Sequence, residues 1–224
     1  MNFKFQFLEY NPISRSAVNR RWLIFIVIVL LVLGGASLAI FMIRSQQRLE
    51  NRYDRIIRTA ASQHQLPPSL VKAMIWRESR FNANARGRAG EIGLMQLTEV
   101  AAQEWADTRR FRDFTHEQVL DPATNTQAGC YYLSKAVKRY PHTDNPYVFA
   151  LADYNAGRAN VLRWMKDNGA TNSSAFLARM DFPGTHEYIA AILERELRYR
   201  PQFGRAYLTG APAAQSTPRQ SMSK

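Results

Sequence analysis

The chain has 224 residues, 46% hydrophobic, 21% charged and 12% aromatic, enough apolar material for one catalytic-size domain with appendages and unlike a collagenous or low-complexity composition. Thirty Lys and Arg against eighteen Asp and Glu leave a formal charge of +12, which points to polyanionic surroundings without choosing among nucleic acid, anionic lipid and cell-wall polymer. A single cysteine, Cys130, excludes an intrachain disulfide and a Cys-based zinc site, and the four histidines lack ligand spacing, so neither a metal nor a cofactor is expected.

Residues 22–43 (WLIFIVIVLLVLGGASLAIFMI) run for 22 positions without a charge. At about 1.5 Å per residue they reach about 33 Å, enough to cross a hydrocarbon core of about 30 Å. A core helix of a globular protein would carry a polar face over six turns, so the run predicts one transmembrane helix. Gly34, Gly35 and Ala36 would suit a signal peptidase, but the apolar run continues to Ile43, beyond the length of a signal h-region. Arg20 and Arg21 abut the run and favour a cytoplasmic segment over residues 1–21, against a weaker positive flank of Arg44, Arg48, Arg52 and Arg55.

Past the span no stretch sustains a period-two pattern, and the reading is an all-α domain over residues 44–208. Residues 47–63 form an amphipathic lead-in helix with Leu49, Tyr53, Ile56, Ile57 and Ala60 on one stripe. Pro67 and Pro68 open the next helix, whose apolar face is Leu70, Val71, Met74 and Ile75. Further helices are expected over residues 94–106, 123–140, 147–154, 158–167 and 186–199, with Asp121 as an N-cap before Pro122. The small, polar residues 209–224 are read as a disordered tail.

Chemistry enters at Glu78. Leu70, Met74 and Glu78 fall at i, i+4 and i+8, so a carboxylate ends an apolar helical stripe. Partial burial and the negative end of the helix dipole both raise a carboxyl pKa, which favours a proton donor near neutral pH. Taken alone, the same residue reads first as a Glu at a frayed helix end neutralised by Arg77 or Arg80. Gly93, Leu94, Met95 and Gln96 follow 15 residues later, where glycines permit a close-approaching backbone and Gln96 sets an amide beside apolar Met95. In Tyr154-Asn155-Ala156-Gly157 the glycine can end a helix in the left-handed conformation, leaving Tyr and Asn at the break. Tyr188, in an apolar helix, reads by itself as a packed core tyrosine.

The ordered set, Glu78-Ser79, then GLMQ at Gly93 to Gln96, YNAG at Tyr154 to Gly157 and a later Tyr188, resembles the lytic transglycosylases of the soluble-transglycosylase (SLT) type in the lysozyme-like superfamily. Asp121-Pro122, Asn125, Gly129 and Tyr132-Leu133 match a helix that these domains carry, and the likeness covers about residues 50–205. Two positions depart from it. Gly184 and Thr185 stand where the family often has Glu-Thr, and Asp153 replaces an alanine. With Glu91, Asp153 is a candidate second acid, read as a surface or supporting residue because the family works with one.

The resemblance implies a lysozyme-like helical catalytic domain behind one transmembrane helix, acting on peptidoglycan glycan strands. Glu78 would be the catalytic acid, and Ser79, Met95, Gln96, Tyr154, Asn155 and Tyr188 would bind substrate. The bond cleaved would be the β-1,4 link from N-acetylmuramic acid to N-acetylglucosamine, with 1,6-anhydro ends as product and neither metal nor cofactor. A lysozyme-like hydrolase of the same bond and a non-catalytic wall-binding scaffold are the alternatives. The expected location is the bacterial cytoplasmic membrane, single-pass through residues 22–43, with the catalytic domain outside. Residues 45–224 carry 25 Lys and Arg and 17 Asp and Glu, a net +8 suited to an anionic wall. The arginine clusters lack the aromatic interleaving of a nucleic-acid surface, which argues against that partner. Service to a larger envelope machine, as opposed to wall turnover, is left open.

Overall fold

The computed structural model describes residues 15–204, so the disordered tail expected over residues 209–224 and most of the segment 1–21 lie outside the described residues. The chain divides into two units at Leu49 and Glu50. The first is built from helix α1 (Arg15–Asn51), whose apolar stretch has no buried position and is long and apolar enough to cross a membrane.

The second unit is helical: α2 (Asp54–Gln63), α3 (Pro68–Ser79), α4 (Glu99–Thr108), α5 (Pro122–Val137), α6 (Pro146–Ala156), α7 (Arg158–Trp164), α8 (Ser173–Ala178) and α9 (Pro183–Phe203). Two short 3-10 turns, His116–Leu120 and Asp167–Ala170, complete it, and among the described residues the only β structure is a pair of isolated bridges, Arg86 with Ile92 and Ile92 with Leu97. The all-α expectation is met.

Several boundaries differ from those the periodicity predicts, each for a local reason. The lead-in helix over residues 47–63 is not continuous; it breaks between Asn51 and Asp54. The fully buried Lys72 ammonium draws acceptors from both sides of that break, Asn51 Oδ1 at 2.8 Å and Asp54 Oδ1 at 2.7 Å, together with Gln202 Oε1 at 2.7 Å from α9. A buried lysine needs such company, since an unpaired charge there would be very costly. Helix α4 begins at Glu99, not at residue 94, and is capped by Thr98, whose hydroxyl accepts from the Ala101 N–H. Asp121 caps α5 as expected, accepting from Thr124 N–H at 2.8 Å ahead of Pro122. Gly157 separates α6 from α7, but with φ 81° and ψ 153° it lies outside the left-handed helical well, in a region open essentially to glycine alone. Helix α8 has no counterpart among the predicted elements, because six residues are too few for a periodic signal.

Two apolar clusters hold the unit together. The larger contains Ile57, Leu70, Met74, Ile75, Cys130, Phe149, Trp164, Phe176, Tyr188 and Ile192, drawn from α2, α3, α5, α6, α7, α8 and α9. The smaller contains Ile92, Leu97, Ala102, Trp105, Val119 and Ala128 around α4. Each fully buried large aliphatic or aromatic side chain contributes about 1.5–3 kcal/mol. Helix α5 feeds both clusters, and so does the segment from Ile92 to Leu97, with Leu94 and Met95 in the larger and its two ends in the smaller.

Candidate active site

Glu78 sits in the last turn of α3, half-buried. The helix stops there because Arg80 and Phe81 both take left-handed conformations, φ 51° and 63°, which turn the chain away immediately after the carboxylate. Tyr188, on α9 across the α3–α9 packing, donates its hydroxyl to Glu78 Oε1 at 2.5 Å. Burial raises the Glu78 carboxyl from 4.5 to about 7; the Tyr188 hydrogen bond and the Arg77 charge oppose the rise, and the Glu91 charge adds to it. A carboxyl so placed is close to half protonated at neutral pH, the state in which it gives a proton and can take one back.

The loop between α3 and α4 faces this pair. Ile92 and Leu97 exchange backbone hydrogen bonds, each 3.0 Å, closing a tight turn over Gly93 to Gln96. Asn125, fully buried on α5, pins that turn from beneath: its Nδ2 donates to Ile92 O at 3.0 Å and Val119 O at 2.8 Å, and its Oδ1 accepts from Met95 N–H at 2.7 Å. Gly93 has φ 81°, and a Cβ there would lie 2.1 Å from Asn125 Nδ2, so both conformation and space require glycine. Gly129, one turn further along α5, leaves room for the Met95 side chain, whose Sδ would lie 2.3 Å from an added Cβ. This pinned turn is why α4 starts late.

The sequence-derived site residues are placed as follows. Tyr154, at the end of α6, donates its hydroxyl to Met95 O at 2.8 Å and meets the Tyr132 ring edge-on at 5.6 Å. Burial, with the Glu78 charge second, holds the Tyr154 hydroxyl well above its ordinary pKa, and the same two causes act on Tyr188, so Glu78, Tyr154 and Tyr188 form one electrostatic group. Met95 is fully buried and joins that group through its carbonyl, its side chain being spent on Gly129. Gln96, at φ 47°, gives its amide to Ala85 O at 3.2 Å and Gly93 O at 2.9 Å, which braces the turn. The exposed Asn155 accepts from Thr185 Oγ1 at 2.8 Å. Ser79 is not brought to the group: it is buried and donates to Ile75 O at 3.1 Å within its own helix.

Of the two further carboxylates, Asp153 is buried, which places it as a supporting residue and not at the surface. It accepts from Arg139 Nη1 at 2.9 Å and from the Tyr140 hydroxyl at 2.6 Å, tying α6 to the end of α5. Glu91 folds back on its own loop and accepts from Ala89 N–H at 3.0 Å. Among the described residues no group of three or more His, Cys, Asp or Glu side chains converges as a metal site would require. Sequence reasoning placed Asn125 and Thr185 only in the family pattern, with no contact assigned, and read Arg77 as a neutraliser of Glu78, whereas Arg77 also lies over the Tyr188 ring at 5.4 Å. One signal was available: Gly129 in the middle of a helix costs up to about 1 kcal/mol relative to Ala, so it needs a packing reason.

The comparisons agree with this geometry. The sequence profile of the transglycosylase SLT domain matches residues 55–177, just over half the chain. A soluble lytic murein transglycosylase of Escherichia coli is 27% identical over 157 residues, covering 69% of this chain and 24% of that protein. A membrane-bound lytic murein transglycosylase F of Desulfosudis oleivorans is 39% identical over 121 residues, covering 51% of this chain and 25% of the relative. Among solved structures, the 70 kDa soluble lytic transglycosylase in complex with bulgecin A superposes with a TM-score of 0.63 at 26% identity, over 71% of this chain and 26% of that one. The chain therefore spans about a quarter of the length of the curated relatives it matches. On the profile match and the shared fold together, the chain belongs to the transglycosylase SLT domain family.

Proposed function

We propose that the protein is a membrane-anchored peptidoglycan lytic transglycosylase, with residues 1–21 in the cytoplasm, residues 22–43 across the cytoplasmic membrane and residues 44–208 as the catalytic domain outside it. The observation that carries this reading is the half-buried Glu78 carboxyl, raised to about 7 and held by Tyr188, in a member of this family. Glu78 gives its proton to the oxygen joining N-acetylmuramic acid to N-acetylglucosamine as the bond breaks. The acetamido oxygen of the substrate steadies the anomeric carbon. The ionised Glu78 then removes the proton from the muramic C6 hydroxyl, whose oxygen closes the 1,6-anhydro ring, so atoms balance without water. Attack by a tethered hydroxyl has a high effective molarity, which lets it outrun water. Most glycosidases place a second carboxylate at the bond; here Asp153 is engaged by Arg139 and Tyr140, and Glu91 by its own loop. Tyr154, Asn155, Gln96 and Met95 shape the substrate side, the last two through the backbone turn that they hold.

The test is mass spectrometry of fragments released from purified sacculi. Anhydro ends, one water lighter than hydrolysed ends, are expected; hydrolysed ends would make the protein a lysozyme-like hydrolase, and no release would leave a binding module. For topology, protease added outside intact spheroplasts is expected to remove residues 47–224 and leave a short N-terminal piece, and protection of that domain would overturn the orientation.

A further inference from the structure

Three guanidinium groups stand together at the end of α3 and along α9. Arg80 lies 3.6 Å from the centroid of the Trp76 ring and Arg195 lies 4.1 Å from the same centroid, so one indole is shared by two cations, while Arg77 covers Tyr188. Burial first, and then the charges of Arg195 and Arg77, hold the Arg80 guanidinium below its ordinary pKa, so the three cations sense one another. Two carboxyl groups lie against the set: Glu50, 3.4 Å from Arg195 and accepting from the Tyr199 hydroxyl at 3.1 Å, and Glu78, on which the Arg77 charge acts. Among the described residues neither Arg77 nor Arg80 has an ion-pair partner, and Arg195 Nε is shielded without an acceptor. Arg198 and Arg200 on the same helix are, by contrast, paired with Glu194 and Glu196. Like charges gathered with too few counterions repel one another, and an arriving anion relieves that repulsion.

The row has a direction. Arg77 precedes Glu78 in the chain and covers the ring whose hydroxyl bonds Glu78. Arg195 is seven residues along α9 from Tyr188, about 10 Å at 1.5 Å per residue. Positive charge therefore starts beside the reacting carboxyl and runs away from it.

We propose that Arg77, Arg80 and Arg195 bind the carboxylates of the peptide stems that branch from the glycan strand next to the bond being cut. This rests on the function proposed above and adds a binding surface to it. In a stem-bearing strand the lactyl carboxyl is spent on the amide to the stem, so the carboxylates offered to the guanidinium groups are those of the stem itself. Three guanidinium groups gathered on the neighbouring Trp76 and Tyr188 rings can meet more than one of these carboxylates, and guanidinium forks suit carboxylates in particular.

The test reads binding separately from cutting. Full-length Glu78→Gln protein in detergent micelles is titrated with labelled glycan strands, either stem-bearing or stripped of stems by an amidase, which leaves the lactyl carboxylates free. Adding Arg80→Gln is expected to weaken binding of stem-bearing strands about fivefold, the upper range for one exposed charge pair, and of stripped strands less than twofold. Arg80→Lys should recover part of the loss, and Arg112→Gln serves as the charge-matched control. Equal losses on both strands, or none on stem-bearing ones, would overturn the proposal; a loss confined to stripped strands would assign the row to the lactyl group instead. Amidation of the stem carboxylates should weaken binding by Arg80-intact protein to a similar extent, an arm that needs no change at Arg80, and an unchanged affinity there also counts against it. If the wild-type protein cuts neither strand while the difference in binding persists, the proposed activity fails and the surface stands.

Discussion

The Tyr188 hydroxyl donates to Glu78 Oε1 at 2.5 Å, and this bond pulls against the burial that lifts the Glu78 carboxyl to about 7. Because the protonated form is the acid that starts the reaction, activity is expected to fall as pH rises above about 7. Tyr188→Phe removes a donor that favours the charged form, so the alkaline limb should move to higher pH while the rate at the optimum drops about tenfold, the scale of one hydrogen bond to a charged group. A pH–rate profile checks both; an unmoved limb would show that the bond does not tune the acid.

Glu78→Gln keeps the shape and removes the proton, and wall lysis should fall at least about 10²-fold. Its stability should change the other way. The carboxyl rises on folding from 4.5 to about 7, so the native state holds the proton more tightly than the unfolded chain, and native stability falls as pH climbs through that window. Glutamine has no such penalty. The variant should gain up to about 3 kcal/mol over wild type at pH 8, and the gain should shrink towards zero below pH 4. Urea melts at the two pH values decide it.

Asn125→Ala strips three partners from the turn, leaving Ile92 O, Val119 O and Met95 N–H to find others. Each buried group left unpaired costs about 1–3 kcal/mol, so a loss of about 3–5 kcal/mol is expected by denaturant titration. Gly93→Ala attacks the same contact from the other side, through φ 81° and a 2.1 Å approach to Asn125 Nδ2. The double variant should lose less than the sum of the two single losses, since each already breaks what the other would break. Strict additivity would separate the two residues.

Asp153→Asn should alter the rate by less than about tenfold and leave the product anhydro, because Asp153 is turned to Arg139 and Tyr140. The change should appear in stability, at about 2 kcal/mol, as two donors lose a charged acceptor. A rate loss as deep as that of Glu78→Gln, with hydrolysed ends, would instead indicate a two-carboxylate mechanism.

What the sequence discloses and what it conceals follows from the range of the interactions. The apolar run of α1, the Pro68 start of α3 and the Asp121 cap are local, and each is legible within a few residues. Leu94 to Leu97 are expected as the opening of a helix over residues 94–106, yet they form a turn, because Asn125 holds that segment from about 30 positions away in sequence. Tyr188 shows the same divide: periodicity sees a core tyrosine, and its hydroxyl meets Glu78 only across the packing of α3 on α9, 110 residues apart in sequence. Asp153 stands between a surface and a supporting reading, and spacing cannot choose between them, because its partners Arg139 and Tyr140 follow the end of α5 and are 14 and 13 residues away in sequence.

Cys130 is the one thiol in the sequence, fully enclosed in the larger cluster where burial pushes its pKa far up. Thiolate is the reactive form, so the folded protein offers no native target to a maleimide. A cysteine introduced on the surface can therefore carry a dye or spin label at a single chosen position, and any slow modification of Cys130 itself reports the opening of α5, the helix that both clusters share.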